Sequence, residues 1–366
     1  MPDVVVVGGG AMGSAAAWQL ARRGADVVLL EQFGLGHARG SSHGSSRIVR
    51  LSYEDPFYVE LAAAAYERWD ELEADAGVQL LTWTGVVDHG DRATVEAMAE
   101  VLRQQGHSTE LVAPAAAADR WPGLRLEPPI LFHPRGGQVH ADQTVAALKR
   151  VAAQLGADIR HDTQVTAIVP TPDGVEIRTA DETLWAPMAV VAAGAWTAPL
   201  LAGLVVLPRL TVTREQPAHF PPRDRGTPWP SFIHHLAGIA TRGTATPRGA
   251  YGLSSADGLK VGFHAVGPVV DPSRVSIDVD QRRLRQLQDY VDEWVPGVDA
   301  DRPDAVPCLY TLTDNTDFVI DRVGPLAIAA GFSGHGFKFT PQIGHIVADL
   351  VLDTGLAPRR FRLNRP

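Results

Sequence analysis

The segment Gly8-Gly9-Gly10-Ala11-Met12-Gly13 has the G-x-G-x-x-G spacing that holds the pyrophosphate of a dinucleotide. It follows the apolar run Val4–Val7, which predicts a strand buried on both faces, and it opens a predicted helix. Gly8 suits a tight turn, Gly10 lets the backbone approach the phosphates, and Gly13 allows close helix–strand packing. Glu31, about twenty residues later, can accept the ribose hydroxyls. The pattern leaves open whether the dinucleotide carries a flavin or a nicotinamide.

A glycine- and serine-rich loop supplies the next reactive side chains. Its Gly40-Ser-Ser-His-Gly44 stretch has the spacing of a hydrolase nucleophile elbow. That motif needs a buried strand before it, and the residues before Gly40 do not form one, so a serine hydrolase is not predicted. Arg47 and Arg50 follow with two apolar residues between them. They are either two solvated arginines or cations aimed at a ligand, and the spacing alone does not decide.

Near the carboxyl end, the glycine-rich stretch 331–338 precedes a predicted helix with Thr340 as its N-cap and Pro341 at its first position. A helix start after such a loop is suited to bind an anion, although a plain strand-to-helix connector is the alternative. His335 is equally compatible with packing and with catalysis. The 13 histidines are scattered, His234-His235 being the only adjacent pair, so no metal site is predicted.

The remaining pattern positions these groups on alternating strands and helices. A helix runs from Ala11 and stops at Gly24, and a second closes at Gly77. Asp142 is the predicted N-cap of a third. The further predicted elements are strands at Val27–Leu30, Val165–Val169 and Val175–Thr179, a helix containing Leu284, Leu287 and Val291, and a helix from Pro341 to Leu352. No repeat or linker is visible, which favours two interleaved domains over two in tandem.

Composition narrows the class of protein. The chain of 366 residues suggests about two domains at roughly 150 residues each. Its net charge of −9 argues against a nucleic-acid partner. The uncharged stretch Thr183–Pro208 is long enough to span a bilayer, but its prolines and glycines favour a buried strand and a short helix. No secretory signal is visible, so a cytoplasmic location is expected. The single cysteine, Cys308, excludes an intrachain disulfide.

Taken together, these motifs resemble the family of monomeric sarcosine oxidase and N-methyltryptophan oxidase, within the D-amino-acid-oxidase-like flavoproteins. The resemblance extends from one end of the chain to the other. The stretches that carry it are Val5–Gly13 with Glu31, residues 42–50, Leu259-Lys-Val-Gly-Phe-His264, Cys308-Leu-Tyr310 and residues 329–338. The last two are more specific than the dinucleotide fingerprint.

The resemblance implies an α/β fold, in which an FAD-binding Rossmann-like domain is interleaved with an α+β substrate domain built on a mixed or antiparallel sheet. The FAD domain would take residues 1–80, 140–208 and 315–366, and the substrate domain residues 81–139 and 209–314. The resemblance further implies that Cys308 bonds the flavin covalently through sulfur. The other cofactor-binding residues it implies are Gly8, Gly10, Met12, Gly13, Glu31, His43, Ser46, Gly334, Gly336 and Lys338.

The same resemblance assigns roles around the substrate. Arg50 and Lys338 would hold its carboxylate. The residues expected in catalysis, against the flavin or lining the substrate pocket, are Arg47, Tyr251, Lys260, His264 and Tyr310. The implied enzyme is an amine oxidase that acts, as a monomer, on a small-molecule secondary amine and O2, releasing hydrogen peroxide.

Departures from the family pattern leave the substrate open. Ser45 and Ser46 stand where members often have Asp and Thr, and the segment between Tyr251 and Lys260 is short and lacks an aromatic residue. Strict sarcosine specificity is therefore not predicted. A fructosyl-amino-acid oxidase, an amino-acid dehydrogenase with another electron acceptor and a non-enzymatic nucleotide binder remain alternatives.

Overall fold

The computed structural model describes residues 1–224, 226–236, 249–276 and 278–363. Its helices are α1 (Ala11–Arg22), α2 (Pro56–Ala76), α3 (Arg92–Gln104), α4 (Pro114–Arg120), α5 (Ala141–Gln154), α6 (Thr197–Leu200), α7 (Gln281–Trp294) and α8 (Thr340–Val351). Short 3-10 turns occur at Gly194–Trp196, Phe337–Phe339 and Arg359–Phe361.

The strands in the first half are β1 (Val4–Val7), β2 (Val27–Leu30), β3 (Arg47–Val49), β4 (Leu81–Thr82), β5 (Val86–Gly90), β6 (Glu110–Leu111), β7 (Ile130–His133), β8 (Gly137–Val139), β9 (Asp158–Arg160), β10 (Ala167–Thr171) and β11 (Gly174–Arg178). Those that follow are β12 (Thr183–Ala186), β13 (Met188–Val191), β14 (Thr211–Glu215), β15 (Ala218–Phe220), β16 (Ser231–His235), β17 (Gly249–Ser255), β18 (Gly258–Phe263), β19 (Asp304–Ala305), β20 (Cys308–Leu312), β21 (Val319–Val323) and β22 (Leu326–Ala330).

A six-stranded sheet in the order β21-β22-β13-β1-β2-β9 forms the first layer. Its strands pair in parallel except for β21, which pairs antiparallel with β22. All four valines of β1 are buried, because the sheet is covered on both faces. On one face α1 packs against α5 and α8, and the close approach of α8 requires Gly344, since a Cβ there would lie 2.6 Å from the Ala15 backbone.

The second large sheet has eight strands in the order β19-β15-β18-β17-β16-β5-β7-β6. Its pairs are antiparallel except that β16 and β5 run parallel. One face packs on α7 through a core that includes Phe220, Phe232, Leu287 and Val291, and the other face lines the cavity described below. The strands of the two sheets alternate along the chain, which matches the predicted fold class. The residue boundaries of the two domains stay a prediction.

Several predicted elements are confirmed, and the corrections are local. Gly77 ends α2 with a φ of 64°, as its left-handed cap position requires. Asp142 is not an N-cap: His140 caps α5, and Asp142 lies in the first turn. Thr340 is not a cap either, because a 3-10 turn precedes it and makes it the first residue of α8.

The strand boundaries shift in the same limited way. The strand predicted at Val165–Val169 runs over Ala167–Thr171 and includes Pro170, which an edge strand tolerates. The uncharged stretch Thr183–Pro208 contains two strands, β12 and β13, before its short helix. Among the residues that the structure describes, no helix combines the length and the apolar character needed to cross a bilayer.

Candidate active site

A cavity of about 1300 Å³ runs from the carboxyl ends of β1 and β2 to the face of the eight-stranded sheet formed by β16, β17 and β18. It brings together side chains from distant parts of the chain. The predicted site residues that line it are Gly8, Gly10, Met12, Glu31, His43, Ser46, Arg47, Arg50, Tyr251, Lys260, His264, Cys308, Tyr310, Gly334, Gly336 and Lys338. Gly13 does not line the cavity, since it packs against the Gly8 carbonyl, where a Cβ would overlap the oxygen.

The end of the cavity near β1 has the geometry of a dinucleotide site. Gly8 has a φ of 104°, and a Cβ there would collide with the backbone of Ala192. Gly10, the N-cap of α1, has no side chain to cap the helix, so the helix start can offer amides to an anion, apart from the Ala11 amide, which donates to Ser42 Oγ. Glu31 is buried, and its Oε2 accepts the Gly9 amide at 2.7 Å while Oε1 accepts the Phe33 amide at 3.0 Å. These bonds hold the carboxylate at the carboxyl end of β2.

The serine- and glycine-rich loop is tied to the wall of the cavity. Ser42 Oγ accepts the Ala11 amide at 3.0 Å, and Asp142 Oδ1 accepts the Gly44 amide at 2.9 Å. Arg47 Nη2 donates to the carbonyls of Ser41 at 2.8 Å and His43 at 2.7 Å, and Nη1 donates to the Ser46 carbonyl at 2.7 Å. Arg47 therefore holds the loop in shape as well as facing the cavity. The sequence analysis gave neither Ser42 nor Asp142 a role at the site, and named Asp142 only as a helix N-cap.

A cluster of cations lies beside Cys308. A Cβ built on Gly44 would lie 3.8 Å from Arg47 Nη1 and 4.0 Å from Lys260 Nζ, so both cations reach the same part of the wall. Burial, reinforced by the charge of Arg47, lowers the pKa of Lys260 to about 7. Burial together with Arg47 and Lys260 lowers the pKa of His43 to about 4, which keeps its imidazole neutral. Burial raises the pKa of Cys308, while Lys260 and Arg47 act in the opposite direction.

Arg50 and Lys338 meet at Tyr53, a residue that the sequence analysis missed. Lys338 Nζ donates to Tyr53 Oη and to the His335 carbonyl, both at 2.7 Å, and the Arg50 guanidinium lies 4.5 Å from the centre of the Tyr53 ring. Burial and the charge of Arg50 hold the pKa of Lys338 well below its ordinary value. Lys338 is buried and Arg50 is half-buried, and two cations that meet at one ring are suited to share one anion, since a bound carboxylate would relieve their repulsion. The sequence signal that could have pointed to Tyr53 is its position three residues after Arg50.

His264, Tyr251 and Tyr310 form the wall between these two cation pairs. The rings of His264 and Tyr310 are 5.5 Å apart, and Tyr251 interacts with Tyr310 on the same cavity wall. Glycines make room for the phenols: a Cβ on Gly262 would lie 2.8 Å from Tyr251 Oη, and one on Gly334 would overlap the Tyr310 ring. Burial, with the charges of Arg50 and Lys338, lowers the pKa of His264 to about 4. Its imidazole is therefore neutral at physiological pH.

A second hydrogen-bonded group, which joins two residues of the cavity wall through two buried ones, was not predicted. Arg50 Nη1 donates to Ser52 Oγ at 3.2 Å, Ser52 Oγ donates to Asp88 Oδ2 at 2.5 Å, and Asp88 Oδ1 is 2.9 Å from His235 Nε2. Ser52 and Asp88 are fully buried, and His235 lines the cavity. An aspartate within the apolar strand Val86–Gly90 and the adjacent histidine pair were visible in the sequence, but nothing in the sequence shows that they meet.

Comparisons with known proteins identify the class. A family model described as FAD dependent oxidoreductase matches residues 3–350. The monomeric sarcosine oxidase of Streptomyces avermitilis is 36% identical over 96% of this chain and 93% of its own length. The N-methyl-L-tryptophan oxidase of Yersinia pestis is 28% identical over 94% of each chain. The chain therefore belongs to the FAD dependent oxidoreductase family and, within it, to the group that contains these oxidases.

Solved structures agree with this assignment. The open form of NikD, an amino acid oxidase essential for nikkomycin biosynthesis, covers 99% of this chain and 97% of its own, with a TM-score of 0.87 and 27% identity. L-proline dehydrogenase from P. horikoshii, at 24% identity and a TM-score of 0.82, shows the same fold.

FAD fits the residues that line this cavity. The glycine turn at Gly8–Gly13 would hold the pyrophosphate against the start of α1, and the carboxylate of Glu31 would accept the ribose hydroxyls. Further along the cavity, His43 Nε2 and Ser46 Oγ are buried and lack a hydrogen-bond partner within the described part of the chain. Such unpartnered donors on a cavity wall are expected where a polar cofactor edge completes their hydrogen bonds.

Proposed function

We propose that the protein oxidises a secondary amine of an N-alkyl amino acid at the C–N bond, with O2 as electron acceptor and hydrogen peroxide as product. When bound, FAD supplies the chemistry, accepting two electrons from the carbon beside nitrogen and passing them to O2. The imine that is released hydrolyses in water. The observation that carries the proposal is the convergence of Arg50 and Lys338 on Tyr53 within the cavity that the dinucleotide motif lines.

Arg50 and Lys338 would bind the substrate carboxylate. Arginine offers a planar pair of donors and lysine a point charge, and their approach from two elements fixes the anion in one orientation. Tyr53 keeps both cations in place, through its hydroxyl for Lys338 and its ring face for Arg50. Orienting the reacting carbon in this way replaces a random encounter and supplies a large part of the rate enhancement.

The neutral imidazole of His264 and the phenols of Tyr251 and Tyr310 would line the space for the amine. A neutral His264 adds no positive charge beside an amine that must be unprotonated to react. Lys260, buried and positioned with Arg47, would stabilise the negative charge that develops on dioxygen.

Attachment of the cofactor belongs to the same proposal. Cys308 would carry FAD through a bond from its sulfur to the flavin 8α-methyl carbon, with His43 nearby. The position of the Cys308 thiol on the cavity wall, beside Lys260 and Arg47, supports this. We further propose the domain division 1–80, 140–208 and 315–366 against 81–139 and 209–314, and a monomer as the active form. The cytoplasmic location stays a prediction.

Anaerobic titration of the purified holoenzyme with N-methyl and N-glycosyl amino acids tests the proposal. An N-methyl amino acid should bleach the flavin absorbance, and admission of O2 should restore it with one peroxide per turnover. Bleaching by N-glycosyl compounds alone would favour the fructosyl-amino-acid oxidase. Bleaching without peroxide would favour a dehydrogenase, and no bleaching by any amine would refute the proposal.

A further inference from the structure

The strand β16 presents His235 to the substrate end of the cavity. In this sheet His235 lies opposite Gly249 of β17, and Ile233 of the same strand lies opposite Tyr251. Since alternate residues of a strand share one face, Ile233 and His235 both face the cavity with Tyr251. Gly249 has no side chain on this face, and its carbonyl accepts the His264 amide at 3.1 Å.

His235 is oriented by a buried carboxylate. Its Nε2 lies 2.9 Å from Asp88 Oδ1, which leaves Nδ1 for a ligand, since Nδ1 has no hydrogen-bond partner within the described residues. Asp88 itself is fully buried, and its second oxygen accepts the Ser52 hydroxyl. Burial alone would raise the pKa of Asp88, but the hydrogen bond from His235 and the charge of Arg50 hold it below its usual value. An ionised carboxylate at this depth is costly unless it is paired, so the pair is a built feature of the cavity.

The same carboxylate connects His235 to the carboxylate-binding arginine. Arg50 and His235 lie at the two ends of a chain of three hydrogen bonds that passes through Ser52 and Asp88. Since Arg50 and His235 both line the cavity, the side chain of a substrate held by Arg50 can extend towards His235. A cavity built only for a methyl group would be lined by apolar side chains at this position, as it is at Ile233.

We infer that His235, oriented by Asp88, is a specificity-determining residue that binds an oxygen-bearing side chain of the substrate. The inference rests on the proposed function and narrows it to N-alkyl amino acids whose side chain carries a hydroxyl or a carboxylate. A hydroxyl can donate to the free Nδ1 of the neutral ring, and a carboxylate can accept from the protonated ring. A substrate that lacks the oxygen leaves a polar ring desolvated and unpaired, which is the origin of the discrimination.

Matched substrate pairs test this inference. The kcat/KM of the holoenzyme is measured for N-methylserine against N-methyl-2-aminobutyrate, which replaces the hydroxyl with a methyl group, and for N-methylaspartate against N-methylleucine. The wild-type enzyme should prefer the oxygen-bearing member of at least one pair by about tenfold or more, a difference of about 1.4 kcal/mol. The pair that shows the preference distinguishes a hydroxyl from a carboxylate.

Substitution of His235 should then abolish the preference. In His235→Leu the ratio within the preferred pair should fall to about one. The matched control is His234→Gln on the same strand, because His234 faces α7, 3.1 Å from Tyr290 Oη, and not the cavity. This control should keep the wild-type ratio.

The outcomes separate the inference from the proposed function. If no N-methyl amino acid reduces the flavin, the proposed function fails. If both members of each pair react equally well with the wild-type enzyme, the function stands and the inference is wrong. If His235→Leu lowers both members of the preferred pair equally, His235 only supports Arg50, and the assignment of specificity is likewise overturned.

Discussion

Replacement of Lys260 with methionine should separate the two halves of the catalytic cycle. Lys260 is 5% exposed, lies with Arg47 against Gly44, and has no hydrogen-bond acceptor within the described residues. At an effective dielectric constant of about 20, the ammonium of Lys260 and an anion about 4 Å from it would attract each other by about 4 kcal/mol. Loss of one preorganised group that stabilises a developing anion costs about 3 kcal/mol. A change of that size slows a step by about a hundredfold.

The step affected should be the reaction with O2. The first electron transfer to apolar dioxygen creates an anion that a cation on the cavity wall would stabilise, whereas Lys260 is not among the groups proposed to hold the substrate carboxylate. In anaerobic stopped-flow experiments, substrate should reduce the flavin of the Lys260→Met variant at a rate within about tenfold of the wild-type rate. The reduced flavin of the variant should then be reoxidised by O2 about a hundredfold more slowly than in the wild-type enzyme. Reoxidation at the wild-type rate would refute the electrostatic role of Lys260.

The pH dependence gives an independent check on the same residue. Because burial and Arg47 lower the pKa of Lys260 to about 7, its charged fraction declines as pH rises above that value. Wild-type reoxidation should therefore slow between about pH 7 and 9, by up to about tenfold per pH unit. Lys260→Arg keeps its charge throughout this range and should not slow, and Lys260→Met should be slow at every pH. A flat wild-type profile would contradict this account.

Three further predictions concern attachment of the cofactor, binding of the substrate and stability of the fold at acid pH. Acid-precipitated protein should stay yellow, with an intact mass one FAD above 39.2 kDa. The Cys308→Ala variant should release all of its colour to the supernatant. A white wild-type precipitate would refute covalent attachment. Arg50→Ala should raise the substrate dissociation constant at least about thirtyfold with FAD content unchanged, because removing one partner of a desolvated charge pair costs about 2–5 kcal/mol; unchanged affinity would exclude Arg50 from the carboxylate site. Burial lowers the pKa of His234 to about 4, so the unfolded chain binds more protons than the folded one as the pH falls below about 6.5. The contribution of His234 to the free energy of unfolding should therefore fall by about 2 kcal/mol between pH 7.5 and 5. Urea denaturation followed by tryptophan fluorescence should show a smaller fall in His234→Gln, and an equal fall in the two proteins would contradict the assignment.

Local sequence was sufficient for much of the fold. Continuous apolar runs such as Val4–Val7 predicted buried parallel strands, and glycines at helix ends marked boundaries, as at Gly77. The errors at Asp142 and Thr340 have a common origin. Either side chain is a good N-cap, but the residue that actually begins a helix depends on how the preceding segment enters it.

The residues of the candidate site likewise fall into those that local sequence predicts and those that it does not. The glycine turn with Glu31 was predictable from spacing, because a helix start and an acid at the next strand end are local consequences of one strand–helix–strand unit. Arg50, Lys260, Cys308 and Lys338 were identified through the family resemblance, since single basic residues and a lone cysteine carry no chemistry by themselves. The chain has only three lysines, and all three line the cavity, yet that also became clear only from the fold.

The sequence by itself determined that this chain carries a dinucleotide site, an α/β fold and a set of residues typical of flavoprotein amine oxidases. Only the tertiary structure decided which side chains act as pairs. Tyr53 joins Arg50 to Lys338, and Asp88 joins Ser52 to His235, through contacts between residues far apart in the chain. Spacing along the chain cannot reveal such pairs, because the face on which a side chain lies is set locally, whereas the partner it meets is set by the packing of separate sheets and loops.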